Sequence, residues 1–277
     1  NSVVPTTAFI GTPADNASGS ANPGQSFTIG GTGLSSGTDL IVRYIDGDGN
    51  LRAVNVNPTF ASPDGTSAQF VLPNYVNSNF TLELLGSSVT PTLQVVPTVI
   101  DYAMTPNGSL HIRGLGLVEG NNTTYNLGGQ TIVDPSIASS APANAYSDGA
   151  DLVLGTNVGL GDGQFRITTS AGTTANRPWN LIYPNQGSAL YDLAVDSVNN
   201  VVWTPNGSKL LKISTTDGST LASYNLPGGN AGDVGLQIVP QSFTLNATTV
   251  PAGSILLFNS NTNPETVYAV KIGRAHV

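Results

Sequence analysis

Apolar residues along this chain come in short runs, each bounded by glycine, proline, asparagine or aspartate. Such runs predict strands, because a strand buries alternate side chains and the bounding residues suit tight turns. In the first third, strands are expected at 26–30, 40–45, 51–56, 69–72, 80–85 and 93–96. They follow a short apolar start at Phe9 and Ile10 and a Gly/Pro/Ser/Asn loop over 11–25. In the second third they are expected at 99–102, 110–113, 124–127, 130–133, 151–154, 164–168 and 179–183, with a turn at Pro106-Asn107-Gly108 and a Ser/Ala/Pro loop over 136–149. D-G-D-G-N at 46–50 and Gly128-Gly129 each separate two such runs and read as hairpin tips.

One stretch occurs twice. F-T-I-G-G-T-G-L at 27–34 returns as H-I-R-G-L-G-L at 111–117. Ile29 matches Ile112, Gly31 matches Gly114, Gly33 matches Gly116 and Leu34 matches Leu117, all at an offset of 83, which Gly37 and Gly120 keep. Phe80 and Phe165 are 85 apart, and Pro97 and Pro184 are 87 apart. A fixed offset with slow drift predicts one fold used twice with loops of different length. The expected modules are 1–97 and 98–184.

After Pro184 the texture changes. Runs at 190–196 (L-Y-D-L-A-V-D), 200–204 (N-V-V-W-T), 209–213 (K-L-L-K-I) and 221–226 surround a Thr216-Asp217-Gly218 turn. Four short strands with turns between them make one propeller-blade equivalent. A second set is expected at 233–239, 254–258 and 266–271, giving a third module over 185–271 with about two blades. Residues 272–277 (I-G-R-A-H-V) match one reading frame of a common sequencing adaptor. They are set aside as an artefact, with the natural chain expected to continue past Lys271.

Composition narrows the class. Charged residues make up 9% of the 277, far below the roughly 25% of ordinary globular chains, so the polar surface rests on Ser, Thr, Asn, Gln and Gly. The 32 glycines and 18 prolines disfavour helix interiors. A net charge of −8 disfavours nucleic acid, whose phosphates need clustered Lys and Arg. The absence of cysteine excludes disulfides and thiolate chemistry. No run reaches the ~18 apolar residues of a membrane helix.

The order of apolar start, Pro-rich loop, strand, G-x-G-L turn and late F-x-x-x strand before a closing apolar strand resembles the IPT/TIG family. That resemblance covers about two thirds of the chain. It implies Ig-like sandwiches in tandem on bacterial surface or secreted proteins. The order D-x-A-x-D, N-x-V-W, L-x-K-I, D-G, L after Pro184 resembles blades of NHL-like and quinoprotein-like β-propellers. The expected fold class is all-β: two tandem Ig-like β-sandwiches plus partial propeller blades.

Candidate chemistry is sparse. Asp46, Asp48 and Asn50 have the one-apart spacing of a calcium loop, and calcium is the one cofactor the spacing allows. Leu51 stands where such a loop needs its sharp-turn glycine and Asn57 where it needs its bidentate glutamate, which favours the hairpin. His111 lies on the repeated strand with no fixed acid partner in sequence and reads as structural. The G-x-G turns precede strands and lack the lysine of a phosphate loop. Asp192 and Asp196 are too far apart on one strand to pair and read as backbone-binding turn acids, and Trp179 and Trp203 read as packing.

No nucleophile–base pair, metal cluster or cofactor motif is visible, so catalysis is not expected. The expected role is a non-catalytic structural or adhesive module of a large bacterial surface or secreted protein, located extracellularly or at the cell surface. Surface glycans, other proteins and neighbouring domains of the same chain are its expected partners, with no nucleic acid and no membrane span. The alternative is an accessory region of an extracellular carbohydrate-active or other hydrolase or lyase, whose active site lies in propeller blades outside this sequence.

Overall fold

The computed structural model describes all residues except 1, 5, 86–90, 106–107, 139–141, 185–191, 227–233, 246, 260–265 and 272–277. Pro106 and Asn107 of the expected turn, the start of the strand expected at 190, Asp233 and the segment 272–277 therefore lie outside the described residues. The protein is all-β, with no helix among the described residues. It divides into two compact units, Asn1–Gly155 with Asp162–Trp179, and Thr156–Gly161 with Asn180–Val277.

The first unit holds both copies of the repeat. The first copy runs through β1 (Ser2–Val3), β2 (Thr12–Pro13), β3 (Gly19–Ala21), β4 (Ser26–Gly30), β5 (Leu40–Ile45), β6 (Leu51–Val56), β7 (Phe60–Ala61), β8 (Ser67–Val71), β9 (Asn79–Thr81), β10 (Glu83–Leu84) and β11 (Thr92–Val95). The second runs through β12 (Thr98–Met104), β13 (Ser109–Leu115), β14 (Thr123–Leu127), β15 (Gln130–Asp134), β16 (Ala143–Tyr146), β17 (Gly149–Val153), β18 (Gln164–Thr169), β19 (Gly172–Thr173) and β20 (Arg177–Pro178). One sheet of each copy has the same order, β1-β4-β8-β7 and β12-β13-β17-β16. Facing it are β10-β5-β6 and β3-β11-β9 in the first copy, and β15-β14-β18-β19-β2 in the second.

The register repeats as well as the order. Phe27 pairs Phe70 where Leu110 pairs Leu152, and Ile29 pairs Ala68 where Ile112 pairs Ala150. Ile29 and Ile112 are fully buried, and each copy then turns through a glycine at positive φ, Gly33 (+73°) and Gly116 (+74°), before a buried Leu34 or Leu117. Inward alternation and the left-handed corner thus fix the same strand exit twice. Gly128 (φ +55°) and Gly129 (φ +82°) supply the two positive φ angles of a tight hairpin between β14 and β15.

The copies differ in one loop. Val3 opposes Ile29 in the first and Tyr102 opposes Ile112 in the second, so the opposed residues are 26 apart in sequence in one and 10 apart in the other. The extra 16 residues are not the plain loop expected over 11–25. They contain β3, parallel to β11, and β2, which leaves its own copy and pairs antiparallel with β19 of the second. The 136–149 loop likewise contains β16, and the 80–85 run is broken into β9 and β10. Phe9 and Ile10 form no strand and lie exposed, and 179–183 forms no strand beyond a bridge from Tyr183 to Val158. Two- to four-residue strands are too short to show alternation, and their partners lie far away in sequence.

The second unit contains a four-stranded meander of β21 (Ala194–Asp196), β22 (Val201–Asn206), β23 (Lys209–Ser214) and β24 (Thr220–Asn225), paired in that order. Then come β25 (Val234–Ile238), a hairpin of β26 (Phe243–Leu245) and β27 (Thr248–Val250), β28 (Ile255–Asn259) and β29 (Thr266–Val270). β25, β28 and β29 form a three-stranded sheet in chain order, interrupted only by the hairpin. Val201, Trp203 and Leu210 of the meander share one core with Ile255 and Leu257.

Replacing either corner glycine tests the repeat. A Cβ at Gly33 meets nothing within 4 Å, so Gly33→Ala bears only the left-handed backbone penalty and is expected to cost about 1–2 kcal/mol. A Cβ at Gly116 would lie 3.1 Å from Pro23 Cγ and 3.2 Å from Pro97 Cα, so Gly116→Ala is expected to cost more. Urea unfolding of the two variants measures both.

Candidate functional site

Within the first unit the two copies meet closely. Asn77 spans the junction: its Nδ2 donates to Ile45 O (2.9 Å) and Leu117 O (2.7 Å), and its Oδ1 accepts from the Ile45 N–H (3.0 Å). The hairpin tip between β5 and β6 leans on the second copy. A Cβ at Gly47 would stand 3.1 Å from Ala145 O, and one at Gly49 would stand 2.5 Å from Ile137 Cγ2. Glycine at the tip is therefore a packing requirement as well as a turn preference.

Beside these contacts lies a cleft of about 430 Å³, lined among others by Tyr44, Asp46, Tyr75, Asn77, Glu119 and Tyr146. Tyr44 and Tyr75 meet edge to face, with centroids 5.2 Å apart at 62°. Tyr146 comes from β16, its hydroxyl 3.1 Å from His111 Nδ1 and its ring stacked on the imidazole at 6.3 Å. Burial and the neighbouring Asp151 push the Tyr146 phenol up to about 12, so it stays protonated. Tyr75 is 39% exposed, whereas Glu119 is 2% exposed.

Glu119 is the unusual member. Its Oε2 accepts from the Ala145 N–H, while its Oε1 has no hydrogen-bond partner among the described residues. Two more buried oxygens share that condition, Asp134 Oδ1 and Tyr125 Oη. Asp134 Oδ2 accepts from the Gly120 N–H at 2.9 Å. Burial raises both carboxyl pKa values, and the Asp134 charge adds to the effect on Glu119. The first copy shows that the fold does not require these groups. By the shared register, Ser36 stands where the second copy has Glu119, Val42 where it has Tyr125, and Val56 where it has Asp134.

The residues singled out in sequence fall as follows. Asp46 lies on the cleft rim, but its carboxylate is engaged: Oδ1 accepts from the N–H groups of Asp48 (3.0 Å) and Asn50 (2.8 Å), and Oδ2 from Arg52 Nε (2.6 Å). The Arg52 guanidinium, ahead of those backbone donors, holds its pKa below the usual carboxylate range. Asp48 and Asn50 are exposed at the tip, and no group of three or more His, Cys, Asp or Glu side chains able to share a metal occurs among the described residues. His111 does have an acid partner, Asp151 Oδ1 at 2.7 Å on the adjoining strand. The same register position in the first copy is Thr28 opposite Gln69, so both copies carry a polar pair at this place on the outer sheet face. In the second unit, Asp192 accepts from the N–H groups of Leu193 and Leu236, and Asp196 from both the backbone and side chain of Asn199. Trp179 and Trp203 are buried. Sequence reading missed Glu119 and the three tyrosines. The one available signal was a lone carboxylate in the apolar turn G-L-V-E-G.

Two measurements follow from these charges. A carboxyl whose folded pKa is raised lends stability that is present below its ordinary pKa and is lost as pH rises through the raised value. The first unit is therefore expected to melt higher at pH 5 than at pH 7.5, each kcal/mol being about 2–4 °C in Tm for a body of this size. Glu119→Gln is expected to raise Tm at pH 7.5 and flatten the pH slope; calorimetry across pH reads both. The acids with lowered pKa, Asp15, Asp46 and Asp64, act only below about pH 4 and do not mask the effect. Because calcium must displace Arg52 from Asp46, millimolar calcium is expected to leave Tm unchanged.

No family model matches this chain, and no curated protein matches it. Among solved structures, a tetra-tandem repeat from the extending region of a large adhesion protein is 13% identical, with 88% of this chain and 70% of that chain covered and a TM-score of 0.21. A protein of unknown function from Bacteroides thetaiotaomicron is 9% identical over 96% of this chain and 71% of its own, with a TM-score of 0.21. The extracellular domain of a hybrid two-component system protein from the same species is 9% identical over 90% of this chain and 35% of its own, with a TM-score of 0.19. At these scores the likenesses carry no conclusion about what this chain does.

Proposed function

We propose that this chain is a non-catalytic extracellular module with a structural and adhesive role, carried by a larger bacterial surface or secreted protein. The observation that supports it best is the β2–β19 pairing. A strand of the first copy completes the sheet of the second, so two repeats become one stiff body. Stiffness suits a part that holds a binding face at a set distance from its neighbours. The repeated sheet order supports the IPT/TIG resemblance, and the β21–β24 meander supports a blade reading of the second unit. A surface of Ser, Thr, Asn and Gly with few charges suits the exterior of a cell.

Calorimetry of the full chain tests the coupling. The first unit is expected to unfold in one transition. In Gly172→Val, whose side chain would strike the Thr12 carbonyl, the two repeats are expected to unfold separately. Two transitions in the unaltered protein would remove the rigid-spacer reading. Beads coated with the full chain are expected to retain cells of some bacterial or host type, and failure on every surface tried would remove the adhesive one.

A further inference from the structure

The cleft in the first unit is furnished by residues that its fold can do without. The first copy builds the matching hairpin, β5–β6, with Ser36, Val42 and Val56 at the positions of Glu119, Tyr125 and Asp134. Burying carboxylates with unsatisfied oxygens destabilises a fold, so their presence in only one copy points to a task other than packing. Of the two acids, Glu119 lines the cleft.

We propose that the cleft bounded by Tyr44, Tyr75 and Tyr146 binds a neutral saccharide, with Glu119 at its floor exchanging hydrogen bonds with ring hydroxyls. This deepens the adhesive reading above, on which it rests, by naming the class of ligand. A pyranose has apolar C–H faces and a polar rim. Tyrosine rings offer the matching surface, flat and apolar with one polar tip. Two of the three rings are already oriented, Tyr75 by Tyr44 and Tyr146 by His111, so little side-chain freedom is lost on binding. The walls are fixed by Asn77 and by the close approach of Gly47 to Ala145. Glu119 lines the cleft, and its Oε1, a buried atom, has no hydrogen-bond partner of its own.

Size and charge narrow the ligand. About 430 Å³ lies within the range of small-ligand sites, roughly 300–1,000 Å³, and is too small for a folded partner. Asp46 and Glu119 line the cleft, and no Lys, Arg or His does so among the described residues. Phosphorylated, sialylated and uronic sugars would meet like charge, which leaves neutral ones.

The test uses the full chain on an array of neutral and acidic glycans. Saturation-transfer NMR with glucose, galactose, mannose and N-acetylglucosamine follows, with sialic and glucuronic acid as counter-probes. Neutral sugars are expected to bind and acidic ones not. Tyr75→Ala is expected to weaken binding at least 10-fold. Glu119→Gln is expected to weaken it about 10-fold while the protein melts no lower, so the loss is not unfolding. Tyr224→Ala, in the other unit, is expected to change nothing. Silence toward every glycan, preference for acidic sugars, capture of protein alone, or binding untouched by Tyr75→Ala and Glu119→Gln would each overturn the proposal. Silence together with a single unfolding transition for the first unit would leave the spacer role standing.

Discussion

An open sheet edge must be covered, and in this protein the cover for one repeat comes from the other. The connection between β12 and β13 in the second copy, residues 105–108, is too short to carry strands like β2 and β3, so β19 has no partner from its own copy on that side. The Thr12 and Pro13 segment fills the place, and Ala14 N–H adds a bond to Ala171 O at 3.1 Å. Pro13 has no N–H to offer a further strand, which suits it to the end of a sheet. Backbone groups that would otherwise invite foreign strands are satisfied within the chain. That one exchange sets the first unit as a single body and brings the hairpin tip of the first copy against the β16 corner of the second.

The cleft is a consequence of this junction. Neither copy could form it alone, since Tyr44 and Tyr75 belong to one and Glu119 and Tyr146 to the other. The two copies differ in the residues at matching positions of this hairpin. The first has valines at Val42 and Val56 of β5 and β6, and the second has Tyr125 and Asp134 at their counterparts, next to Glu119 in the turn. A buried polar cluster of this kind lowers stability, and of its three members Glu119 lines the cleft, which residues of both copies bound.

The second unit follows a simpler rule. Its acids hold backbone: Asp192 accepts from the Leu236 N–H of β25, 44 residues on, and Asp217 accepts from the Ser219 N–H at the turn before β24. The segment 156–161 belongs to this unit through Leu160 N–H to Thr215 O and Gly161 N–H to Thr216 O. Trp203 and its neighbours close one apolar core between two small sheets, so each sheet buries a face it could not bury alone.

By itself the sequence determined the all-β class and the twice-used corner. Ile29, Gly33 and Leu34, and their partners at 112, 116 and 117, obey local rules of alternation and positive φ that can be read without coordinates. It determined the Gly128-Gly129 hairpin and the D-G-D-G-N tip on the same grounds. Only the tertiary structure decided that the 11–25 loop carries strands, because a two-residue strand has no period and its partner lies about 160 residues on in the chain. Only the tertiary structure decided that His111 has Asp151 beside it, and that Glu119, Asp134 and Tyr125 form one buried group. His111 and Asp151 are 40 residues apart, and although the other three lie within one hairpin and its entry turn, it is strand register and burial that make neighbours of them.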